Sequence, residues 1–165
     1  MLSLIYARSE NYCIGKAGRI PWDLPDEFAH FQRTTRHGAV IMGRRTYEDH
    51  ETCLPDRLNI VVTTTPGYRA AEGVHIVDSL PAALTLARQH CKEVFVVGGA
   101  RLFAEAFGDA QRVYETVVHT HIEAGDAFVP AFDFSGWQRE LLDQHPADAR
   151  HAFAFTIWCY RRLGS

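Results

Sequence analysis

Many of the apolar residues of this chain are gathered in short unbroken runs, and few folds accept such runs. Leu2 to Ala7, Ala39 to Gly43 and Val94 to Val97 are almost wholly apolar. They lack the alternation of a strand with one face in water, so both faces must be covered, as in a parallel sheet flanked by helices. Helical segments lie between them. One starts at Pro25, suited to a first turn, and runs to about Thr35 or Arg36, with Gly38 as its left-handed terminal position. Another is opened by Asp78 or Ser79 with Pro81, runs to about His90, and turns Leu80, Leu84 and Ala87 inward. A third follows Gly98-Gly99 to about Phe107, and Arg44 begins a short helical turn. Leu58 to Thr63 and Val74 to Val77 add strands. Val113 to Ile122 puts Tyr114, Thr116 and Val118 on one face, and His151 to Arg162 alternates Phe153, Phe155, Ile157 and Cys159 with a period of two. Those last two strands are expected to pair antiparallel. The reading is α/β, a mixed sheet with helices on both faces, in one domain spanning residues 1–165.

Composition narrows the function. A net charge of -3 offers no positive field for nucleic acid or an anionic membrane. The four cysteines, Cys13, Cys53, Cys91 and Cys159, are scattered with no C-x-x-C pair, which argues against a zinc site and a disulfide framework and for a reducing cytoplasm. Met1 to Arg8 reads as a first strand rather than a leader, and no run approaches the roughly 20 apolar residues that span a bilayer.

The chemistry concentrates in Ile20 to Phe31. Pro21 and Pro25 stiffen the approach to the first helix. Glu27 then shares a helical stripe with Leu24, Phe28 and Phe31. Acids in a first turn commonly just complement the helix dipole, which accounts for Asp26 better than for Glu27. A carboxyl walled by Trp22, Phe28 and Phe31 would have its pKa raised by desolvation and hold or relay a proton near neutral pH.

Two further stretches suit an anionic ligand. In Met42-Gly43-Arg44-Arg45-Thr46 a strand ends at glycine and paired guanidiniums, which grip phosphate or simply stand in solvent. Thr63-Thr64-Thr65 before Pro66-Gly67 offers hydroxyls, though threonine is also a good strand former. In Val97-Gly98-Gly99-Ala100, glycine lets the backbone approach a ligand ahead of a helix. This is not G-x-G-x-x-G, so a dinucleotide would sit on an architecture other than the Rossmann one.

In order, the first strand, the Ile14-Gly15 loop, Pro21-Trp22, the helical acid, Met42-Gly43-Arg44 with Thr46, Leu54-Pro55 with Arg57 and Asn59, Pro66-Gly67, Val97-Gly98-Gly99, Tyr114 with Thr116, and Gly125-Asp126 closely resemble dihydrofolate reductase from end to end. The resemblance implies an eight-stranded, mostly parallel sheet and NADPH-dependent reduction of 7,8-dihydrofolate, with antifolate inhibitors as further ligands and a monomer as the working unit. It implies catalytic roles for Glu27, Trp22 and Thr116. Ile5, Tyr6, Phe28, Phe31, Gln32, Thr52 and Leu54 would surround the substrate, and Arg57 would pair with the α-carboxylate of its glutamate tail. Ala7, Ile14, Gly15 and Ile20 would lie near the nicotinamide. Gly43, Thr46, Val97, Gly98, Gly99, Ala100, Arg101, Leu102 and Phe103 would surround the pyrophosphate and its neighbours, and Arg44, Arg45, Thr63 and Thr64 the adenosine phosphate. A cis peptide would join Gly98 to Gly99. The rivals are a riboflavin-pathway-type NADPH reductase on the same scaffold and a non-catalytic nucleotide-binding module. The first is not expected to combine Trp22, Glu27 and Arg57.

Overall fold

The computed structural model describes residues 1–50 and 54–164. In chain order the elements are β1 (Leu2–Ser9), β2 (Cys13–Gly15), α1 (Pro25–Thr35), β3 (Ala39–Gly43), α2 (Arg44–His50), β4 (Leu58–Val62), β5 (Val74–Val77), α3 (Leu80–His90), β6 (Val94–Gly98), α4 (Ala100–Ala106), a 3-10 turn at Phe107–Asp109, β7 (Arg112–Val118), β8 (Ala127–Phe128), β9 (Trp137–His145) and β10 (Phe155–Arg162). Eight strands form one sheet in the order β5-β4-β3-β6-β1-β7-β10-β9. All neighbours run parallel except β10, which is antiparallel to both β7 and β9. Among the described residues no helix is long and apolar enough to cross a membrane.

The central strands are buried on both faces, as their unbroken apolar runs require. On one face Leu2, Leu4, Tyr6, Ile41, Ile60, Val94, Val96 and Val113 pack with Leu80, Ala83, Leu84 and Ala87 of α3 and with Leu102, Phe103 and Ala106 of α4. On the other, Ile5, Val40, Met42, Val61 and Phe95 meet Tyr47 of α2 and Phe31 of α1. The register pairs Ile5 with Tyr114, Ala7 with Thr116, and Thr116 with Ile157, so these side chains share the α1 face near its middle.

Three local expectations change. The left-handed residue after α1 is His37, at φ 64°, not Gly38. Gly38 is needed for space: a Cβ there would come within 2.9 Å of both the Glu93 carbonyl and the Phe95 ring. The Ser9 to Arg19 segment is not all loop, because β2 pairs with β8 in a two-stranded ribbon. Strand β7 ends at Val118 rather than Ile122. A further strand, β9, forms the sheet edge with most of its side chains exposed. An edge strand wet on both faces carries no two-residue contrast to betray it.

Candidate active site

The candidate site lies on the α1 face of the sheet, between that helix and the C-terminal ends of β1 and β6. Glu27, in the first turn of α1, faces Thr116 of β7, whose hydroxyl donates a hydrogen bond to the carboxyl. Thr116 is buried. Glu27 is half-buried. Desolvation nevertheless pushes its pKa up to about 7, and the Thr116 hydrogen bond only partly opposes the rise. Of the expected walls, Ile5 is buried, Phe31 and Leu54 pack against its cluster, and Phe28 stacks on Phe31 with ring centres 6.0 Å apart. Phe28 stays 53% exposed, an apolar lip rather than a core residue. Trp22 and Ala7 pack beside Leu24, Val118, Phe155 and Ile157.

Tyr6 is not part of that wall. Adjacent strand residues face opposite ways, so with Ile5 toward α1 the Tyr6 ring turns to the α3 and α4 side, where it lies 5.1 Å from Phe103. Its hydroxyl donates to Glu115 at 2.9 Å, and Arg8 closes the buried group with Nε 3.2 Å from the same carboxylate. Phe103, expected beside the cofactor, is only 1% exposed and belongs to the same core. Thr52 lies outside the described residues.

Arg57 is held firmly in place. Its Nε donates to Thr35 Oγ1 at 2.9 Å, Nη1 to the Pro55 carbonyl at 2.6 Å and Nη2 to the Gln32 carbonyl at 2.7 Å. The Gln32 side chain is exposed. Desolvation first, then the charge of Arg36, hold the guanidinium below its ordinary pKa, and Asp56 partly offsets them. Among the described residues no carboxylate is within ion-pair distance of it. Buried Asn59 organises this loop. Its amide accepts from the Leu54 N–H at 2.9 Å and donates to the Leu54 and Arg57 carbonyls at 2.9 and 3.0 Å. An asparagine inside an apolar strand is the kind of misfit that marks such a role in a sequence.

The nucleotide half lies where β3 and β6 end side by side. The Gly98-Gly99 peptide is cis. Thr46 lies so close to Gly98 (φ 139°) that a Cβ there would be 2.9 Å from its hydroxyl, and Gly43 packs against the same turn. Gly99 caps α4 without a side chain, so the first amides of that helix lack an internal partner. Val97 is half-buried beneath the turn, Leu102 is buried and Arg101 is exposed. Arg44 Nη1 donates to Thr65 Oγ1 at 3.2 Å, and Thr65 is joined to Thr63 through hydroxyl and amide contacts at 3.1 and 3.2 Å. The hydroxyl beside Arg44 is that of Thr65, and Thr64 and Thr65 are both exposed.

Arg45 diverges from Arg44. With Glu48, Asp49, Ala17, Gly18, Arg19 and Asp126 it lines an open cavity of about 630 Å³. The loop across that cavity is fastened at two points: the Asp126 N–H donates to the Gly15 carbonyl at 3.1 Å, and the Ala17 N–H donates to Asp126 Oδ2 at 3.0 Å. Ile14 is half-buried, whereas Ile20 is exposed.

A model of the family described as dihydrofolate reductase matches residues 1–162. The chain belongs to the dihydrofolate reductase family. It is 41% identical over 154 residues to the dihydrofolate reductase type 3 of Salmonella typhimurium, covering 93% of each chain. It is 36% identical over 165 residues to the dihydrofolate reductase of Bacillus subtilis strain 168, covering 100% of this chain and 96% of that one. A solved structure of dihydrofolate reductase from Enterococcus faecalis complexed with NADP(H) and RAB-propyl superposes with a TM-score of 0.91 at 33% identity, covering 99% of this chain and 96% of that one. Membership brings the activity, NADPH-dependent reduction of 7,8-dihydrofolate to 5,6,7,8-tetrahydrofolate. The dihydrofolate reductase fold accounts for both halves of the site, with the acid on α1 and the glycine turn after β6.

Proposed function

We propose that Glu27 is the group through which this reductase grips and protonates its substrate, and that Arg57 anchors the far end of the same molecule. The observation that carries this is a desolvated carboxyl beside Thr116, with its pKa pushed up to about 7. Near neutral pH both of its forms are populated. The ionised form accepts a pair of N–H bonds from the pterin 2-amino group and N3. The protonated form holds the proton that N5 must gain, passed directly or through water. Trp22 supports that water, and Thr116 fixes the direction of the carboxyl.

Ile5, Phe28, Phe31 and Leu54 enclose the flat ring system, and Arg57 takes the α-carboxylate of the glutamate tail in a bidentate pair. The donor set fits NADPH. Arg44 with Thr63 and Thr65 suits the adenosine phosphate, the Gly98-Gly99 turn, Thr46 and the first amides of α4 suit the pyrophosphate, and Ala7, Ile14 and Ile20 stand near the nicotinamide end. When bound, NADPH supplies the hydride that pterin C6 receives. Holding Gly15 and Ala17 through Asp126 keeps the loop over the ring pair, where it excludes water. Antifolates would compete through the same Glu27 contacts, and the chain would act as a cytoplasmic monomer.

The test is Glu27→Gln. The variant should fold and bind NADPH with near-normal affinity, while hydride transfer at pH 7 falls by about 10²-fold or more. The wild-type rate should decline as pH rises through about 7, as the carboxyl gives up its proton. Wild-type turnover in the variant would refute the role.

A further inference from the structure

Helix α1 has a peculiar start. Leu24 at its cap offers no side-chain acceptor and Pro25 brings no N–H, so the Asp26 amide, next to Glu27, is an early donor with no partner inside the helix. It donates instead to Nε2 of His151, at 3.1 Å and 125 residues away in sequence. His151 is 1% exposed. Its other nitrogen, Nδ1, lies 2.8 Å from Asp148 Oδ1. An amide donor on one side and a carboxylate on the other are satisfied together only by the tautomer that carries its hydrogen on Nδ1. Asp148 is in turn held ionised, its pKa lowered by the His151 hydrogen bond and by the Arg150 amide.

The neighbouring groups hold the same turn. Asp26 Oδ2 lies 2.9 Å from His145 Nε2, and Arg150 stands 3.7 Å from the other oxygen. The His145 ring stacks flat on Phe155. One turn along α1, desolvation first and then the charge of Arg33 push the pKa of buried His30 down to about 4, and Asp143 on β9 partly opposes them. Asp26, His145 and His151 present ligand atoms within 4.8 Å of one another, as a divalent ion would need. The His151 lone pair, however, already faces the Asp26 amide, so the set closes on a backbone hydrogen.

We propose that His151 is a positioning residue for the reduction: an imidazole cap, supplied from the segment between β9 and β10, that fixes the first turn of α1 and so the direction of the Glu27 side chain. This builds on the Glu27 reading above. With the cap gone the turn frays, and the carboxyl beside it swings toward solvent.

Two substitutions separate the cap from simple packing. His151→Gln places a carbonyl oxygen near the position of Nε2 and keeps an acceptor for Asp26. His151→Asn keeps a donor toward Asp148 but offers Asp26 nothing. His151→Asn should lower kcat/KM for dihydrofolate about fivefold, the usual scale of a lost cap, and leave KM for NADPH within about twofold. It should also lower the pH at which the rate declines, since a better hydrated Glu27 ionises more readily. His151→Gln should restore both. Equal losses in the two variants, or an unmoved pH profile in His151→Asn, would overturn the positioning role. In ¹⁵N-labelled wild-type protein, a scalar coupling across the hydrogen bond should join the Asp26 amide nitrogen to His151 Nε2. That measurement needs neither substrate nor a variant that folds, so its absence would overturn the cap whatever Glu27 proves to do.

Discussion

Replacing Glu27 by glutamine should cripple the enzyme and stabilise it, and the stabilisation should depend on pH in a defined way. The folded carboxyl titrates at about 7 instead of the ordinary 4.5. Because the folded pKa is raised, the native state carries no electrostatic penalty below pH 4.5. The penalty accumulates between 4.5 and 7 and is complete above that window. At 1.36 kcal/mol for each tenfold change, the full penalty is about 3 kcal/mol. Glutamine has no charge to desolvate and its carbonyl can still accept from Thr116, so the variant escapes the penalty. Urea denaturation of wild type and Glu27→Gln without ligands, at steps from pH 5.5 to 8.5, should show the variant's advantage growing by about 2 kcal/mol across the series. A stability difference that stays flat over that range would show that the Glu27 carboxyl is not desolvated in the folded protein, and the argument for its proton role would go with it.

Arg57→Leu removes the cation of a guanidinium already oriented by Thr35, Gln32 and Pro55, so dihydrofolate affinity measured by titration should fall by about 2 kcal/mol, roughly 30-fold. A pterin lacking the glutamate tail should bind both proteins alike, and unchanged dihydrofolate affinity would remove the carboxylate clamp. Arg44→Ala should raise KM for NADPH by roughly tenfold and barely alter that for NADH, because only NADPH carries the 2′-phosphate. Equal losses with both nucleotides would place the phosphate elsewhere.

What could be read from the sequence follows from how strongly each signal is tied to burial. Strands such as Ala39 to Gly43 declare themselves because both faces are covered, and Ser79 caps α3 by accepting from the Ala82 amide at 3.2 Å, as a serine ahead of proline suggests. Glu27 was conspicuous for the opposite reason, as an acid on an apolar stripe. Strand β9 is silent in the sequence because an exposed edge imposes no pattern. Tyr6, expected in the substrate wall beside Ile5, lies on the other side of the sheet because a shift of one residue along a strand reverses the face. Gly38 suggests a left-handed terminus, but its need is clearance from Phe95, a residue far along the chain. The His151 cap joins two segments through tertiary folding alone and has no local signature.

The most direct measurement of the central claim is a ¹³C NMR titration of the Glu27 side-chain carboxyl in the folded protein. The midpoint should lie near 7, with the resonance moving toward that of an ordinary glutamate when the protein is unfolded. A folded-state midpoint near 4.5 would mean that the carboxyl is fully hydrated, and would contradict it.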